Sequence, residues 1–471
     1  MNALAYEASA DVDRTIAGEL ARFALGLGYD AIPVAVRERA KHLILDSVGI
    51  ALASTRYPFA VASLSALEEL GSGPSAVIGI GRRLALRDAV LMNGILVHGL
   101  DFDDTHSRGV IHATASSFPC ALALADRDEA DGRALLSAYV AAMEAACRLG
   151  SVAKGAFHQV GFHPTGLIGA FGCTLAAAKI LGLDPDRAAM AQGIVLSMAA
   201  GSLEFLEDGA WTKRLHPGWA GVAGITAATL AKRGFVGPRA AYEGRFGLYA
   251  SHLGGYFANA DLGLATEGLG RSWQIEEVAV KPIPACHFVH AAADAAIALH
   301  EHYGLRPEAI RRVRVLVPGE VVKTVCEPLA NKRSPANSYD AQFSIPYVVA
   351  TALLKGRFTL AELEDEALDD STVLGLAGRI DYEIDPASTF PRHYSGEVVV
   401  ETGDGRSLRH REAVNRGCAD RPLTNDEVVA KFFDNAERAV AREVAQRVCH
   451  AVLNLDRHGA PALADALCLR S

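Results

Sequence analysis

Apolar positions recur at helical spacing through the first half of the chain. The segment VRERAKHLILDSVGIALAS places Val36, Ala40, Leu43, Ile44 and Ala51 near one face of a predicted helix. The segments ALLSAYVAAMEAACRLG and PTGLIGAFGCTLAAAKILGLD behave similarly, and their many alanines and glycines would let buried helices approach closely. This half shows no alternation of strands with helices and no Gly-rich phosphate loop after a strand, which argues against a dinucleotide-binding fold.

The pattern changes near Glu267. The segments EEVAVKPIP, IRRVRVLVP and GEVVVETGDGRSLRH are rich in β-branched residues and alternate in polarity, which predicts strands, and TGDGRS predicts a hairpin turn. Helical segments lie between them, and the tail LTNDEVVAKFFDNAERAVAREVAQRVCHAVLNL returns to helix after a Thr/Asn/Asp cap. We therefore expect a mainly α fold. Its large all-helical domain would comprise residues 1–267 and 413–471, and residues 268–412 would form a smaller inserted α+β lid domain.

Composition places the chain among globular proteins and narrows its partners. Its 471 residues exceed the size at which one hydrophobic core keeps growing, which agrees with two domains. The net charge is −9 and no run of Lys and Arg occurs, so neither a nucleic-acid partner nor a membrane surface is expected. The N-terminal segment MNALAYEASADVDRT lacks the long apolar core of a secretory signal, and no apolar stretch reaches the length of about twenty residues that spans a membrane. None of the eight cysteines forms a CxxC pair, which favours reduced, buried thiols in a cytoplasmic protein.

Residues 98–112, HGLDFDDTHSRGVIH, concentrate titratable side chains between two apolar segments. A polar loop whose acids cap the next helix is one interpretation, since Asp and Thr are common in loops. A second is a Mg²⁺, Mn²⁺ or Zn²⁺ site similar to the Asp-rich motif of helical prenyl-chain enzymes. Those enzymes need a second acidic motif on a facing helix, and the acidic segment LEDEALDDST falls in the predicted small domain instead. The third interpretation is a proton-transfer site.

Three further segments place basic residues where a loop meets a predicted helix. They are FHQVGFHPTG at 157–166, WTKRLHPGWAG at 211–221 and KPIPACHFVHAAADAA at 281–296. Each has an ordinary structural interpretation: a satisfied core histidine, a solvated charge, or a histidine pair whose spacing is weak for zinc. Together they suggest a common cleft for acid–base work on a small anion. A net-negative chain needs local cations for this purpose, and Lys213, Arg214, Lys281 and the histidines could supply them.

In this order, the motifs resemble those of the MmgE/PrpD family nearly from end to end. The motifs are LILDSVGIALA, HGLDFDDTH, HPTGLIGAFG, WTKRLHPGWAG, KPIPACHFVHAAADA and YDAQFSIPYVVATALL. Members include 2-methylcitrate dehydratase, cis-aconitate decarboxylase and iminodisuccinate epimerase. The resemblance implies a large helical domain made from both chain ends, a smaller α+β lid, a homodimer, and catalysis that uses neither a metal nor an organic cofactor.

The resemblance also implies the site residues. The positions matching the family's catalytic motifs are Asp101, Thr105, His112, His163, Lys213 and His290. His106 is a rival to His112, because the alignment needs one extra residue here. The residues expected to bind substrate are His106, Arg214, Lys281 and His287. Two positions depart from family patterns: Asp103 replaces an Asn that is typical of methylcitrate dehydratases, and a tyrosine of decarboxylase members falls near Leu329–Ala330.

The implied activity is that of a lyase acting on a small di- or tricarboxylate. A C–H beside a carboxylate is a very weak acid, so positioned donors and cations must stabilise the anion that forms when it is removed. We expect His112 or His163 to move the proton, Lys213 and His290 to neutralise carboxylates, and Asp101 with Thr105 to orient a histidine or bind a hydroxyl. An epimerase of the iminodisuccinate type could use the same residues. Two remoter alternatives are a Mg²⁺-dependent prenyl-chain enzyme and a relative that only binds anions.

Overall fold

The fold was analysed in a computed structural model that describes residues 15–469. The prediction that the N-terminal segment is not a secretory signal concerns residues 1–14 almost entirely, and these lie outside the described residues. Most described elements are helices, so the expectation of a mainly α fold is confirmed.

The α-helices, in chain order, are α1 (Ile16–Gly26), α2 (Val34–Ser54), α3 (Pro58–Leu70), α4 (Leu86–His98), α5 (Ala113–Arg127), α6 (Gly132–Val152), α7 (Ala156–Val160), α8 (Pro164–Leu167), α9 (Gly169–Ile180), α10 (Pro185–Val195), α11 (Phe205–Asp208), α12 (Thr212–Lys232), α13 (Leu248–His252), α14 (His290–Tyr303), α15 (Val322–Val325), α16 (Leu329–Arg333), α17 (Ser338–Gln342), α18 (Ile345–Lys355), α19 (Asp365–Leu368), α20 (Ser371–Ala377), α21 (Asn425–Ala436), α22 (Arg442–Leu453) and α23 (Ala460–Leu467). The β-strands are β1 (Ser75–Val77), β2 (Ile80–Leu84), β3 (Thr105–His106), β4 (Val278–Ala279), β5 (Ile310–Val317), β6 (Ile380–Ile384), β7 (Gly396–Thr402) and β8 (Ser407–Glu412).

The chain divides into two compact units. The first, here called the helical unit, consists of the described residues of Met1–Gly99, Asp103–Val278 and Asn425–Ser471. It contains α1 to α13 and α21 to α23. The second, the mixed unit, consists of Leu100–Phe102 and Ala279–Thr424 and contains α14 to α20 with strands β5 to β8.

Contacts made by the segment before residue 279 explain why the first division falls later than the predicted one at residue 268. The backbone N–H of Ile275 donates to Glu144 Oε1 of α6 at 3.0 Å. The Arg148 guanidinium, one helical turn further along α6, donates to the carbonyl of Ser272 at 2.6 Å. These hydrogen bonds bind residues 268–278 to the helical unit.

Similar contacts place residues 413–424 in the mixed unit. The backbone N–H of Val280 donates to the carbonyl of Gly417 at 3.0 Å. The Arg416 guanidinium lies 3.2 Å from Asp294 of α14. The second division therefore falls at residue 425, and the helical tail begins there.

Small residues set the helix packing of the helical unit. A Cβ at Gly172 of α9 would lie 2.8 Å from the carbonyl oxygen of Ala142 in α6, and one at Gly94 of α4 would lie 2.4 Å from Gly218 Cα in α12. Because hydrogen is the only side chain that fits at such distances, these helices approach as the Gly- and Ala-rich sequence predicts. Among the described residues, α6 alone is long and apolar enough to cross a membrane, and its whole apolar window is buried inside the protein.

The C-terminal tail completes the helical unit. Helix α21 packs against α2, which is buried on every side from Ala40 to Ser54. Asp46 of α2 is fully buried, and Lys431 of α21 places its Nζ 2.8 Å from the Asp46 carboxylate. The tail therefore contributes a buried ion pair as well as apolar surface. All eight cysteines of the chain are free and buried.

A β-hairpin in the helical unit was not predicted. Strands β1 and β2 form an antiparallel hairpin, in which Ser75 pairs with Leu84. Its turn residue Gly79 has φ +72°, which glycine adopts without strain, and its N–H donates to the carbonyl of Leu467 at 2.8 Å. The hairpin thus depends on the distant C-terminal helix α23.

The mixed unit contains a four-stranded sheet with strand order β6-β5-β7-β8. Strands β5 and β6 are parallel, and the other two pairings are antiparallel. Glu401 pairs with Ser407 across the predicted hairpin turn, which confirms that turn. Helix α14 packs against β7 and β8 so closely that a Cβ at Gly396 would lie 2.4 Å from the backbone nitrogen of Ala292.

Candidate functional site

The helical unit brings three histidine rings together. His98 is the last residue of α4, His112 immediately precedes α5, and His163 immediately precedes α8. The ring centroids of His98 and His112 are 4.9 Å apart, those of His98 and His163 are 5.5 Å apart, and those of His112 and His163 are 6.1 Å apart. One nitrogen from each ring lies within 4.8 Å of one nitrogen from each of the others. We call these residues the three-histidine cluster.

The Nδ1 atom of His112 is held by its own loop. It lies 2.7 Å from the carbonyl oxygen of Asp104 and 3.2 Å from the hydroxyl of Thr105. Because a carbonyl oxygen can only accept a hydrogen bond, this Nδ1 carries a proton. In the neutral ring the lone pair is therefore on Nε2, and the backbone of Asp104 fixes the tautomer.

The other two rings of the cluster are also oriented through Nδ1. His98 Nδ1 lies 2.7 Å from the carboxylate of Asp103, and both side chains are fully buried. His163 Nδ1 lies 3.0 Å from the Nδ1 of His216 in α12, so one of these two nitrogens donates to the other. Each ring is thus fixed by a polar partner.

Burial keeps His163 and His216 uncharged. It lowers the pKa of His163 well below the ordinary value of 6.5, and the neighbouring His98, Lys213, His216 and His112 lower it further. The pKa of His216 falls to about 4, also mainly through burial and then through His98 and Lys213. These imidazoles are therefore neutral at pH 7. Lys213 itself is only 7% exposed.

The aspartates of the 98–112 stretch do not form a solvated turn. Asp101, Asp103 and Asp104 are each at most 3% exposed. Burial raises the pKa of Asp104 to about 7, and Asp103 and Asp46 raise it further, whereas hydrogen bonds from Thr114 lower it. The Asp104 carboxylate accepts from the hydroxyl of Thr114 and, at 3.4 Å, from its N–H in the first turn of α5. The helix-capping interpretation therefore applies to Asp104.

The mixed unit contains a buried lysine paired with an aspartate. Lys281 is 1% exposed and donates from Nζ to the Asp101 carboxylate at 2.9 Å and to the Asp101 carbonyl at 2.7 Å. Asp101 has φ +50°, a left-handed conformation that costs free energy in a residue other than glycine. The two-point contact with Lys281 compensates for that conformation.

Two histidines lie in the same unit as this pair. The rings of His287 and His290 have centroids 4.7 Å apart. His290 Nε2 donates to the carbonyl of Ala285 at 3.1 Å, and Asn415 donates to His287 Nε2 at 2.8 Å. Both Nδ1 atoms are buried without a hydrogen-bond partner among the described residues. Burial, aided by the charge of Lys281, lowers the pKa of His287 to about 3, so this ring is neutral at pH 7.

The structure places the predicted site residues in three kinds of position. Four of them belong to the three-histidine cluster or lie beside it in the helical unit: His112 and His163 are members, and Thr105 and Lys213 are neighbours. Those grouped in the mixed unit are Asp101, Lys281, His287 and His290. The remaining two, His106 and Arg214, make contacts that hold the fold. Whether all of them serve one cleft stays a prediction.

The contacts of His106 and Arg214 explain their burial. His106 Nδ1 accepts from the N–H of Gly109 at 3.1 Å, in the loop that follows β3. Arg214 Nε donates to the carbonyl of Gly99 at 2.7 Å, and its guanidinium lies 4.6 Å from the ring centre of Phe59. His112, and not His106, is the histidine of this stretch that lies beside Thr105 and His163.

His98, Asp103 and His216 are not among the site residues that the sequence predicts. His98 and Asp103 are five residues apart, a spacing with no helical or strand period, so only the turn after α4 brings them together. His216 follows Lys213 by three residues in α12, and that helical spacing was the available signal.

Groups of buried imidazoles with a lysine nearby are the equipment of an acid–base enzyme, and His163, His216 and His287 are uncharged at pH 7. Comparison with known sequences shows which enzyme family this is. The chain belongs to the MmgE/PrpD family. Residues 18–259 match the MmgE/PrpD N-terminal domain, and residues 283–457 match the MmgE/PrpD C-terminal domain.

Several characterised relatives align along nearly their whole length. A cis-aconitate decarboxylase-like protein, oryM, of Aspergillus oryzae is 27% identical, over 94% of this chain and 94% of its own. Cis-aconitate decarboxylase of Homo sapiens is 28% identical, over 92% of this chain and 90% of its own. A 2-methylcitrate dehydratase of Salmonella typhimurium is 24% identical, over 92% of each chain. Decarboxylases and dehydratases of this kind are lyases.

Proposed function

We propose that the protein is a cofactor-independent lyase that acts on a small di- or tricarboxylate by moving a proton at a carbon beside a carboxylate. The observation that carries this proposal is the three-histidine cluster: buried imidazoles of fixed orientation, with Lys213 close enough to lower the pKa of His163. The names of the relatives, cis-aconitate decarboxylase and 2-methylcitrate dehydratase, support the substrate class.

His112 is the residue we assign to proton transfer. Its Nδ1 proton is committed to the Asp104 carbonyl, which leaves Nε2 as the basic atom. His163, whose neutral state burial enforces, is the second candidate for the same role. Thr105 contacts His112 and positions it. A neutral imidazole can take a proton from carbon and, once protonated, return one to it.

The lysines neutralise the substrate's carboxylates in this proposal. When a proton or carbon dioxide leaves the carbon beside a carboxylate, negative charge spreads onto the carboxylate oxygens, and a fixed cation lowers the energy of that anion. Lys213 supplies this charge in the helical unit. In the mixed unit we assign carboxylate binding to His290 and Lys281, and Asp101 positions Lys281 through its ion pair. The unpartnered Nδ1 atoms of His287 and His290 support a ligand-binding role there.

Among lyase reactions we favour decarboxylation. The C–C bond to the departing carboxylate breaks, carbon dioxide leaves, and the electron pair passes into the conjugated remainder of the substrate. A histidine of the cluster that has taken up a proton from water delivers that proton to carbon, so each turnover consumes one proton from solvent. The match to cis-aconitate decarboxylases supports this choice, and Asp103 stands in the place of the asparagine typical of methylcitrate dehydratases. Dehydration is the second candidate, and the match to 2-methylcitrate dehydratases supports it.

A substrate screen in D₂O tests the proposal. The protein is incubated with citrate, 2-methylcitrate, cis-aconitate and iminodisuccinate, and products and deuterium incorporation are followed by NMR, with and without EDTA. We expect carbon dioxide release from cis-aconitate, with deuterium in the product and full activity in EDTA. Loss of a hydroxyl from 2-methylcitrate would instead establish the dehydratase, and exchange with inversion of iminodisuccinate the epimerase. No turnover and no exchange with any of them would refute the lyase proposal, and activity abolished by EDTA would refute cofactor independence.

Variants connect any activity to these residues. His163→Ala and Lys213→Ala should lower turnover by about 10²- to 10⁴-fold, the usual contribution of a positioned acid–base group. Both side chains are buried, so far-UV circular dichroism checks that each variant is folded. The matched control is His450→Ala, an exposed histidine on α22 of the same unit, which should keep full activity. Unaltered turnover in His163→Ala and Lys213→Ala would show that the assigned site is wrong.

We further propose a cytoplasmic homodimer. The eight free, buried cysteines support a reducing compartment. Trp211, Leu215 and Trp219 are each at least 40% exposed and follow one another at four-residue intervals at the start of α12, which supports an apolar contact surface for a second copy. Sedimentation equilibrium should give a dimer that Trp219→Lys weakens, and a monomer at all accessible concentrations would contradict this assignment.

A further inference from the structure

We propose that the three-histidine cluster also binds one zinc ion per chain, and that this zinc inhibits the enzyme by occupying the imidazoles that transfer protons. The zinc site itself stands on the geometry of His98, His112 and His163. The inhibitory effect rests on the proposed function.

The spacing of the rings suits a tetrahedral ion. Zinc–nitrogen bonds of 2.0–2.1 Å place the ligand nitrogens of a tetrahedral site about 3.3 Å apart. In the cluster, one nitrogen from each ring lies within 4.8 Å of the others, so zinc binding would draw these nitrogens closer together. The His112 side chain is 12% exposed, so it is not completely enclosed. Three protein ligands leave a fourth position for water or a carboxylate.

Two of the rings, those of His98 and His112, already have the outer partner that histidine ligands of zinc use. Such histidines usually donate their second ring N–H to a carboxylate or a backbone carbonyl, which fixes the ring and makes the ligand nitrogen more basic. Asp103 holds Nδ1 of His98, the Asp104 carbonyl holds Nδ1 of His112, and His216 contacts Nδ1 of His163. In this proposal the Nε2 atoms are the ligands, which requires His163 Nδ1 to donate to His216 Nδ1.

The charges and ligand types select the metal. Imidazole nitrogens suit Zn²⁺ and its analogue Co²⁺, whereas Mg²⁺ requires oxygen ligands. The Asp103 carboxylate next to His98 attracts a cation, and Lys213 near His163 opposes it. We accordingly expect reversible zinc binding and no binding of Mg²⁺ at this site.

A cobalt titration of the EDTA-treated, full-length protein tests the site directly. Co²⁺ in a tetrahedral site absorbs visible light, and added Zn²⁺ should displace it at one equivalent per chain. His98→Gln should abolish the absorption band. Asp103→Asn, which keeps the size of the side chain but removes its charge, should weaken zinc binding by about 10- to 100-fold. His450→Gln is the matched control, and far-UV circular dichroism checks that each variant is folded. A band that persists in His98→Gln, or no band in the unaltered protein, would overturn the site.

Activity measurements separate this inference from the proposed function. Zinc should inhibit turnover with a midpoint equal to its binding constant, EDTA should reverse the effect, and Mg²⁺ should have none. If cobalt binds as expected but no substrate is turned over, the site stands and the lyase proposal fails. If turnover is found and neither Co²⁺ nor Zn²⁺ binds, the lyase proposal stands and this inference fails. Zinc that binds at the cluster without inhibiting turnover would refute the inhibitory effect.

Discussion

Replacing His106 by asparagine tests whether burial keeps imidazoles of the helical unit uncharged. His106 is 1% exposed, and its Nδ1 accepts a hydrogen bond from the N–H of Gly109, which only an unprotonated nitrogen can do. Burial, followed by the charge of Arg108, lowers the pKa of His106 to about 3. Asparagine can place its amide oxygen near the Nδ1 position, but it cannot take up a proton in this range.

The size of the effect follows from the two pKa values. The unfolded chain has a histidine pKa near 6.5, so between pH 6.5 and about 3 the unfolded state binds a proton that the folded state refuses. Stability is therefore lost as pH falls below 6.5. At pH 5 the difference is 1.5 pH units, and at 1.36 kcal/mol per unit His106 lowers the free energy of unfolding by about 2 kcal/mol. His106→Asn should remove that share of the loss between pH 7 and pH 5.

Urea unfolding at pH 7 and pH 5 measures this difference. The three tryptophans of the chain, Trp211, Trp219 and Trp273, all belong to the helical unit, so their fluorescence follows the unit that contains His106. The asparagine variant will be less stable at pH 7, because it loses ring contacts, but its pH dependence should be shallower than that of the unaltered protein. The exposed His450→Asn is the control. If the free energy of unfolding falls equally between pH 7 and pH 5 in the unaltered protein and in His106→Asn, the reasoning is refuted.

Two predictions concern the packing of the helical unit. Lys431→Ala should lower the free energy of unfolding by about 3–5 kcal/mol, because it leaves the fully buried Asp46 carboxylate without its cation. Adding Asp46→Asn to the same chain should recover part of this loss. Urea unfolding measures both effects. Gly94→Ala should lower stability by about 1–3 kcal/mol, because its Cβ would meet the backbone of Gly218, whereas Gly26→Ala, which meets nothing within 4 Å, should be neutral in the same assay. Equal stabilities of the two alanine variants would contradict the close approach of α4 and α12.

Local sequence patterns predicted many of the elements. The periodic segments correspond to α2, α6 and α9, and the TGDGRS turn joins β7 and β8, since apolar spacing and turn residues act over a few neighbouring positions. The β1–β2 hairpin escaped prediction, because its strands are short and its turn is held by the carbonyl of Leu467, almost 400 residues away along the chain.

The candidate site, too, was predicted only in part. Family motifs pointed to His112 and His163, and the structure places both in the three-histidine cluster. They did not distinguish a residue that faces the cluster from one that supports the loop. His106 belongs to the same short stretch as His112, yet its ring is committed to Gly109. His98 completes the cluster only because the turn after α4 brings Asp103 back to it.

The sequence by itself determined the helical periodicity, the Gly- and Ala-rich contact faces and the identity of the chemical groups available. Only the tertiary structure decided the tautomer, charge and orientation of these chemical groups. His163 and His216 are 53 residues apart, and their contact orients one ring against the other. Burial by surrounding helices, and not the histidine residues themselves, holds these imidazoles neutral at pH 7. Tautomer, charge and orientation depend on the dielectric surroundings and hydrogen-bond partners that the folded chain supplies, so local sequence cannot specify them.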